Sequence, residues 1–435
     1  MTVQLLATLA TSAVRHFSIK GIKNVSKVIV IISNELPNHL KEGILDESKK
    51  NKRLNLEDHK ETFRNAGIDL VKFDIDQPLT EQGPFDLILH KCTGLMVAAK
   101  DGDLTAECQI NNIKDYIEKN PGCIIVDKFE HINHLLDRNY QYQLLLQCHL
   151  LDSDSPVFTP SFVNLTTADT QSNIHKLREA NVTYPFVCKP IVAHGKKESH
   201  QMSIIFDDYG LTDIQPPCVA QSFINHSAVL YKVFIIGDQQ FIVERPSIKN
   251  LLPRGQATIH FDSNDVSKPN SSSFLTELDQ EDVSKIPFTP DYERLRETGL
   301  IIQRQLKMDL FGIDVIVDCD TGRYAVIDIN AFPGYEGVDN FVEVLCNYLI
   351  NRMSCNETVS SDAEQYSDAE KQDQNKPKRL KVCSEHCMMY KCQKEPRNTE
   401  GFGYSSDSMT SDAESQDETP WKQPIKRCSK HCQKQ

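Results

Sequence analysis

The chain has 435 residues, 39% of them hydrophobic and 25% charged, with a net charge of −13, which suits about three globular domains or subdomains. The acidic balance argues against general nucleic-acid binding, and no apolar run approaches a membrane span; the 14 cysteines show no regular framework through the first 350 residues, so free thiols are expected. Residues 351–435 hold 14 Lys/Arg and 14 Asp/Glu, so the acidic excess lies in residues 1–350 and any polyanion site must be a local basic pocket.

Residues 1–26 contain no acid and are rich in Thr and Ser, the flavour of a mitochondrial presequence, but they hold a single arginine, and a disordered leader is expected. From Lys27 the pattern turns globular. VIVII (28–32) reads as a buried strand, Leu56–Ala66 as a helix stopped by Gly67, and IDLVKFDI (68–75) and FDLILHK (85–91) as strands. A helix over 104–119 ends at Asn120-Pro121-Gly122, followed by strand CIIVD (123–127) and a helix through HLLDRNYQYQLLLQ (134–147). Strands alternating with helices predict a parallel sheet, so residues 27–150 are expected to form a Rossmann-like layer.

Residues 151–350 have a different texture. The segments 157–163, 184–190, 202–206, 218–224, 229–236 and 240–245 read as short strands, with one clear helix near 168–180, which predicts a mostly antiparallel α+β region. SNDVSKPNSSSFLTE (263–277) has loop chemistry, a helix near 290–308 leads into a hairpin, and a last helix spans 338–350. In residues 351–435 only five of 85 are Leu, Ile, Val or Phe, too few to offset chain entropy, so a disordered low-complexity tail is expected. It repeats SDAE, a serine ahead of acids as acid-directed kinases prefer. KPKRLK (Lys376 to Lys381) reads either as a nuclear import signal or as a solvated charge run. CSEHC (383–387) and CSKHC (428–432) carry zinc-type ligands, but the low-complexity setting argues against a metal site.

The most telling stretch is GIDVIVDCDTGRYAVIDINAFPGYEG (312–337). Two β-branched runs flank Asp320-Thr321-Gly322, which reads as a three-residue hairpin loop. Setting Cys319 opposite Arg323 puts Asp314 opposite Asp328, with Asn330 on the same face. Ile313, Val315, Val317, Ile327 and Ile329 then point the other way into a core. Facing like charges are destabilising. A hard divalent cation removes the conflict, since magnesium takes such oxygens and completes its shell with substrate phosphates. Upstream, YPFVCKP puts Lys189 at the end of a strand, and VAHGKKESH follows as a Gly-containing loop of the kind that covers phosphates. CVAQSFINHSAVLYKVFII adds an apolar hinge and Lys232. Lysines to neutralise phosphates, a hinge to read adenine and acids to hold metal are the parts of a nucleotide site.

That order, ending in DINAFPG, resembles the ATP-grasp superfamily. HKCTG (90–94), LLDR (135–138), PFVCKPIVAHG (185–195), ERPSIKN (244–250) and FGIDVIVDCDTGRYAVIDINAFPGYEGV (311–338) narrow the likeness. They resemble the inositol tetrakisphosphate 1-kinase family, also called inositol 1,3,4-trisphosphate 5/6-kinase, over roughly residues 27–350. The resemblance implies an ATP-grasp fold: a Rossmann-like layer (27–150), an ATP-grasp domain (151–350), and tails outside it. It implies a kinase that uses ATP and two magnesium ions to phosphorylate ring hydroxyls of inositol polyphosphates, inositol 1,3,4-trisphosphate and inositol 3,4,5,6-tetrakisphosphate among them.

Carried over by residue, the resemblance implies that Arg138, Lys189, the hinge Gln221, Ser222, Phe223, Ile224, Asn225, His226 through Lys232, and Ser247, Ser263 and Ser267 contact ATP. Asp314, Asp328 and Asn330 hold magnesium. Lys50, His200, Lys232, Asn330 and Gly334 face the inositol phosphate, with His194 and Arg245 nearby; Lys232, Asp328 and Asn330 are the catalytic set. The loop HGKKESH (194–200) is one residue longer than the family's usual form and carries Lys196 and Lys197. A cytoplasmic monomer without nucleic-acid or membrane partners is expected. A carboxylate–amine ligase on the same fold and a nucleotide-binding scaffold with a phosphorylatable tail are the alternative readings.

Overall fold

A computed structural model describes residues 26–31, 56–148, 155–252, 255–269, 271, 273–283 and 288–367. Most of the leader, the basic run containing Lys50, and the tail beyond 367 with KPKRLK and the Cys-x-x-His-Cys repeats lie outside the described residues. Among the described residues no helix is long and apolar enough to cross a membrane.

The N-terminal layer comprises β1 (Ser26–Ile31), α1 (Lys60–Asn65), β2 (Ile68–Val71), β3 (Leu87–His90), α2 (Thr93–Lys100), α3 (Leu104–Lys119), β4 (Ile124–Val126), α4 (Phe129–His134) and α5 (Arg138–Gln147). Its four strands form a parallel sheet in the order β2-β1-β3-β4. The apolar spacing of α3 turns Ala106, Ile110, Ile113 and Tyr116 inward, and Asp103 caps it by accepting from the amides of Thr105 and Ala106. The helix expected over 134–147 begins only at Arg138, and a separate α4 ends at His134. At Leu136–Asp137 the backbone pairs with Val192 and Ala193, and Asp137 then caps α5 through the Tyr140 amide. A partner distant in sequence outcompetes local propensity there.

The rest builds two five-stranded sheets from β5 (Val157–Phe158), β6 (Phe162–Leu165), α6 (Thr170–Glu179), β7 (Phe186–Pro190), β8 (Gln201–Ile205), β9 (Cys218–Ser222), β10 (Val229–Ile236), β11 (Gln239–Pro246), β12 (Ile259–Asp262), α7 (Ser263–Val266), α8 (Gln280–Val283), α9 (Tyr292–Leu306), β13 (Leu310–Val317), β14 (Tyr324–Ala331) and α10 (Phe341–Ser367). One sheet runs β11-β10-β13-β14-β5 and the other β12-β8-β7-β9-β6. The strand expected over 157–163 is split, because the chain changes sheets near Pro160, where proline cannot donate to a ladder. Part of the 263–277 stretch is helical, with α7 capped by Asp262.

The last helix binds the layers together. Leu345 and Leu349 of α10 share one apolar cluster with Phe63, Leu70 and Leu87 of the N-terminal layer and with Phe234 and Leu310 of the central sheet. Asp127 adds a polar pin, its carboxylate accepting from the amides of Asp309 (2.8 Å) and Leu310 (2.9 Å). The core does not stop at 351: α10 continues to Ser367, and Met353 is only 8% exposed within the same cluster. The composition of 85 residues hides one apolar side chain in its first turn. A chain ending at Arg352 should therefore lose about 1.5–3 kcal/mol, the worth of a buried Met side chain, whereas one ending at Ser367 should not. Thermal unfolding of the two truncated chains decides this; equal melting temperatures would place Met353 outside the stabilising core.

Candidate active site

The β13–β14 hairpin does set Asp314 opposite Asp328, but by a different route from the expected one. The turn is wider than three residues: the Asp318 amide donates to the Arg323 carbonyl, and the Gly322 amide, at φ +70°, returns to the Asp318 carbonyl. The ladder starts as Val317 opposite Tyr324 and Val315 opposite Val326, then shifts by one residue before Asp314. Ile327 is the extra residue of a β-bulge. Val326 takes the core position expected of Ile327, while Ile327 joins Ile316 on the cleft wall. Ile313, Val315 and Ile329 face the core, with Val317 partly buried against it.

The bulge also turns a carbonyl toward the lysine. Lys189, from β7 of the other sheet, donates to the Ile327 carbonyl (3.0 Å), to Gln221 Oε1 (2.8 Å) and to the Tyr142 hydroxyl (2.8 Å), whose own hydrogen goes to the Ile327 carbonyl (3.0 Å). Burial lowers the Lys189 pKa to about 8, against the pull of Asp328. Lys232 lies directly opposite Asp314 on β10, and its Nζ reaches both carboxylate oxygens, at 2.8 and 3.0 Å. The acidic pair is thus flanked by cations. Burial holds the Asp314 carboxyl above its ordinary range despite Lys232. At Asp328 burial acts in the same direction, but Arg138, Lys189, His194 and Lys232 outweigh it and hold the carboxyl low. Arg138 Nε stands 3.9 Å from Asp328, and Arg138 Nη1 donates to the Pro190 carbonyl (2.8 Å).

These groups line a cavity of about 230 Å³. Arg138, Lys189, His200, Gln221, Ser222, Phe223, Ile224, His226, Lys232, Ser247, Ser263, Ser267, Asp314, Asp328 and Asn330 all face it. Val187, Leu230, Ile248, Ile316 and Ile327 supply an apolar slot of the sort a flat heterocycle enters. His226 bridges the Ile224 carbonyl and Ser247 Oγ (2.7 Å), and burial lowers its pKa to about 4, so it is neutral.

Other expected residues sit elsewhere. Asn225 does not line the cavity; both ends of its amide hold the backbone of Leu251. Arg245 donates to the Glu336 carbonyl, and a Cβ on Gly334 would meet the Glu336 carboxylate at 2.7 Å, so these two belong to a group beyond the end of β14. His194 is behind the cavity wall, near Asp328 and Arg138; burial brings its pKa down to about 4, and its Nε2 has no protein partner. His200 stays at the rim, 3.3 Å from Ser263 Oγ. Tyr142 was not foreseen, because a tyrosine close to a leucine run reads as core; only its sheet-bridging contacts reveal it.

Two carboxylates and one amide suit a hard ion that fills its shell with phosphate oxygens and water. Among the described residues no group of three or more His, Cys, Asp and Glu side chains is placed to hold a metal without such help. The buried Asp328 Oδ1 lacks any hydrogen-bond partner, as expected of an atom that meets a cation. Magnesium fits this donor set.

Residues 43–132 match the pre-ATP-grasp domain of inositol 1,3,4-trisphosphate 5/6-kinases, and residues 151–351 match their ATP-grasp domain. The inositol-tetrakisphosphate 1-kinases of Danio rerio and Xenopus laevis are 41% and 42% identical to this chain over 303 residues, covering 69% of it and 76% of each of them. The chain belongs to this family. Inositol-tetrakisphosphate 1-kinase 4 of Glycine max is 33% identical over 292 residues, 66% of this chain and 81% of its own. For this family member the ATP-grasp match spans Lys189, Lys232 and the acidic hairpin, and the pre-ATP-grasp match spans Lys50 and β2 to β4.

Proposed function

We propose that the protein transfers the γ-phosphoryl group of ATP to ring hydroxyls of inositol polyphosphates, inositol 1,3,4-trisphosphate and inositol 3,4,5,6-tetrakisphosphate among them. The observation that carries this reading is the acidic pair Asp314–Asp328 set among Lys232, Lys189 and Arg138 beside an apolar slot, in a chain of this family. The slot takes the base, and Lys189 and Arg138 bring positive charge to the donor phosphates. Asp314, Asp328 and Asn330 would hold magnesium, assigned as two ions, which neutralises charge on the phosphates. Lys232 stands beside that set, where it can follow the transferring phosphoryl. The acceptor hydroxyl attacks in line, and catalysis is mostly positioning and charge neutralisation, so no strong side-chain base is required. His194 is neutral at physiological pH and stays behind the wall, so His200, which lines the cavity, is the loop histidine placed to meet a substrate oxygen. A monomer is the proposed working state.

The test is incubation with ATP, magnesium and a panel of inositol phosphates, with products resolved by isomer. ADP release that requires an amino acid rather than an inositol polyphosphate would overturn the reading in favour of a ligase. The pH profile offers a second check. The free enzyme's Lys189 loses its proton as pH rises through about 8, so kcat/KM for ATP should fall above that pH. A profile flat from pH 7 to well above 8 would mean that Lys189 is not the nucleotide's cation.

A further inference from the structure

The loop that carries His194 and His200 touches both halves of the molecule. Its first residues are stitched to the α4–α5 connection: the Arg138 amide donates to the Ile191 carbonyl (2.8 Å), and the Ala193 amide to the Leu136 carbonyl (3.0 Å). Gly195, at φ +82°, presses onto α2; a Cβ there would lie 3.1 Å from Gly94 Cα and 3.2 Å from Val97 Cβ. Only a glycine reaches that close in that conformation. One residue on, Lys196 Nζ meets Asp101 Oδ2 at 2.7 Å, and the Lys196 carbonyl accepts from Ser199 Oγ at 2.6 Å. Asp101 caps the C-terminal end of α2, where a negative charge opposes the helix dipole. The helix gains nothing from an acid there; the partner in the loop does.

We propose that Gly195 and Lys196 are positioning residues that latch this loop to α2, so that the N-terminal layer sets where His194 and His200 stand relative to the acidic pair. This rests on the kinase reading above and deepens it. Lys196 is a strut toward the N-terminal layer, and its ammonium is committed to Asp101. The pair is about half exposed (40% and 50%), so the latch is weak enough to open for substrate exchange.

Three variants test the proposal: Lys196→Glu, Asp101→Lys and the double swap. Each single variant should raise KM for the inositol polyphosphate about 5-fold, with KM for ATP within about 2-fold, and the double swap should restore the parent value. Asp101→Lys improves the charge at the end of α2, so its defect could not come from a weakened helix. Amide hydrogen exchange over 194–200, measured without substrate, should quicken in the singles and recover in the double. Unchanged Michaelis constants in both singles overturn the proposal, even with a loosened loop, since the latch would then position nothing. A defect in Lys196→Glu that the swap does not repair also overturns it, because Lys196 would then touch phosphate directly. If the parent protein turned over no inositol polyphosphate, the kinase reading would fail, while the exchange rates would still decide whether the pair holds the loop.

Discussion

Asp328→Asn should cut turnover at least ~10²-fold, the scale of losing a key charge-stabilising group, and should also lower the melting temperature. The second effect follows from its surroundings. Asp328 stands 3.9 Å from Arg138 Nε and within the field of Lys189 and Lys232, and these cations outweigh the burial that would otherwise raise its pKa. Neutralising it leaves Arg138 and Lys189 buried at 2% and 6% exposure with less compensation, a cost on the order of 3 kcal/mol. The sign with pH agrees: a carboxyl held below its unfolded pKa stabilises the fold at neutral pH, and that contribution is lost as pH falls through the acid range. Asp314→Asn should behave differently, because Asp314 is held above its ordinary range and its main partner is Lys232. It should lose activity with little change in melting temperature. Near-normal turnover of Asp328→Asn at low magnesium would remove the hairpin from the mechanism.

The nucleotide side should respond to Lys189→Met, which keeps most of the stem's volume and deletes the ammonium. KM for ATP should rise about 30- to 100-fold, equivalent to the ~2–3 kcal/mol of a hydrogen bond to a charged group, while KM for the inositol polyphosphate stays within about 2-fold. Gln221 Oε1 loses its donor, but the Ile327 carbonyl keeps the Tyr142 hydroxyl, so the variant should still fold. An unchanged KM for ATP, measured at saturating second substrate, would mean that the cavity does not take the nucleotide by its phosphates through this lysine.

Much of this was legible from the chain alone, for physical reasons that differ by element. Helix α3 showed itself through the Asn120-Pro121-Gly122 stop that follows it, a local property. The acidic pair came out aligned because two departures cancel: the turn closes one residue away from the expected register, and the bulge at Ile327 restores it before Asp314. What stayed hidden depends on partners far away in sequence. The break between α4 and α5 exists because residues 191–193 pair there, 55 residues later. Asn225 looks like part of a nucleotide hinge but is spent on Leu251, and no local pattern announces that. The Asp314–Lys232 pairing was also invisible, since it needs the register of β10 against β13; it means that the two acids are not left facing each other without a counter-charge. Lys50, expected at the inositol phosphate, lies outside the described residues.

The extra residue in β14 bears on how such a site could be assembled over generations. Removing Ile327 from the register would leave Asp328 opposite Asp314 and Val326 opposite Val315, an uninterrupted ladder with the acids still aligned. It would take away the carbonyl that Lys189 grips and one wall of the slot. The acidic pair and the lysine's anchor are therefore separable by a single codon, so an ancestral hairpin could have held the acids before this lysine was fixed in place. Deleting Ile327 from the present chain should then keep cation-dependent stabilisation while weakening ATP, and loss of both together would show that the two were never independent.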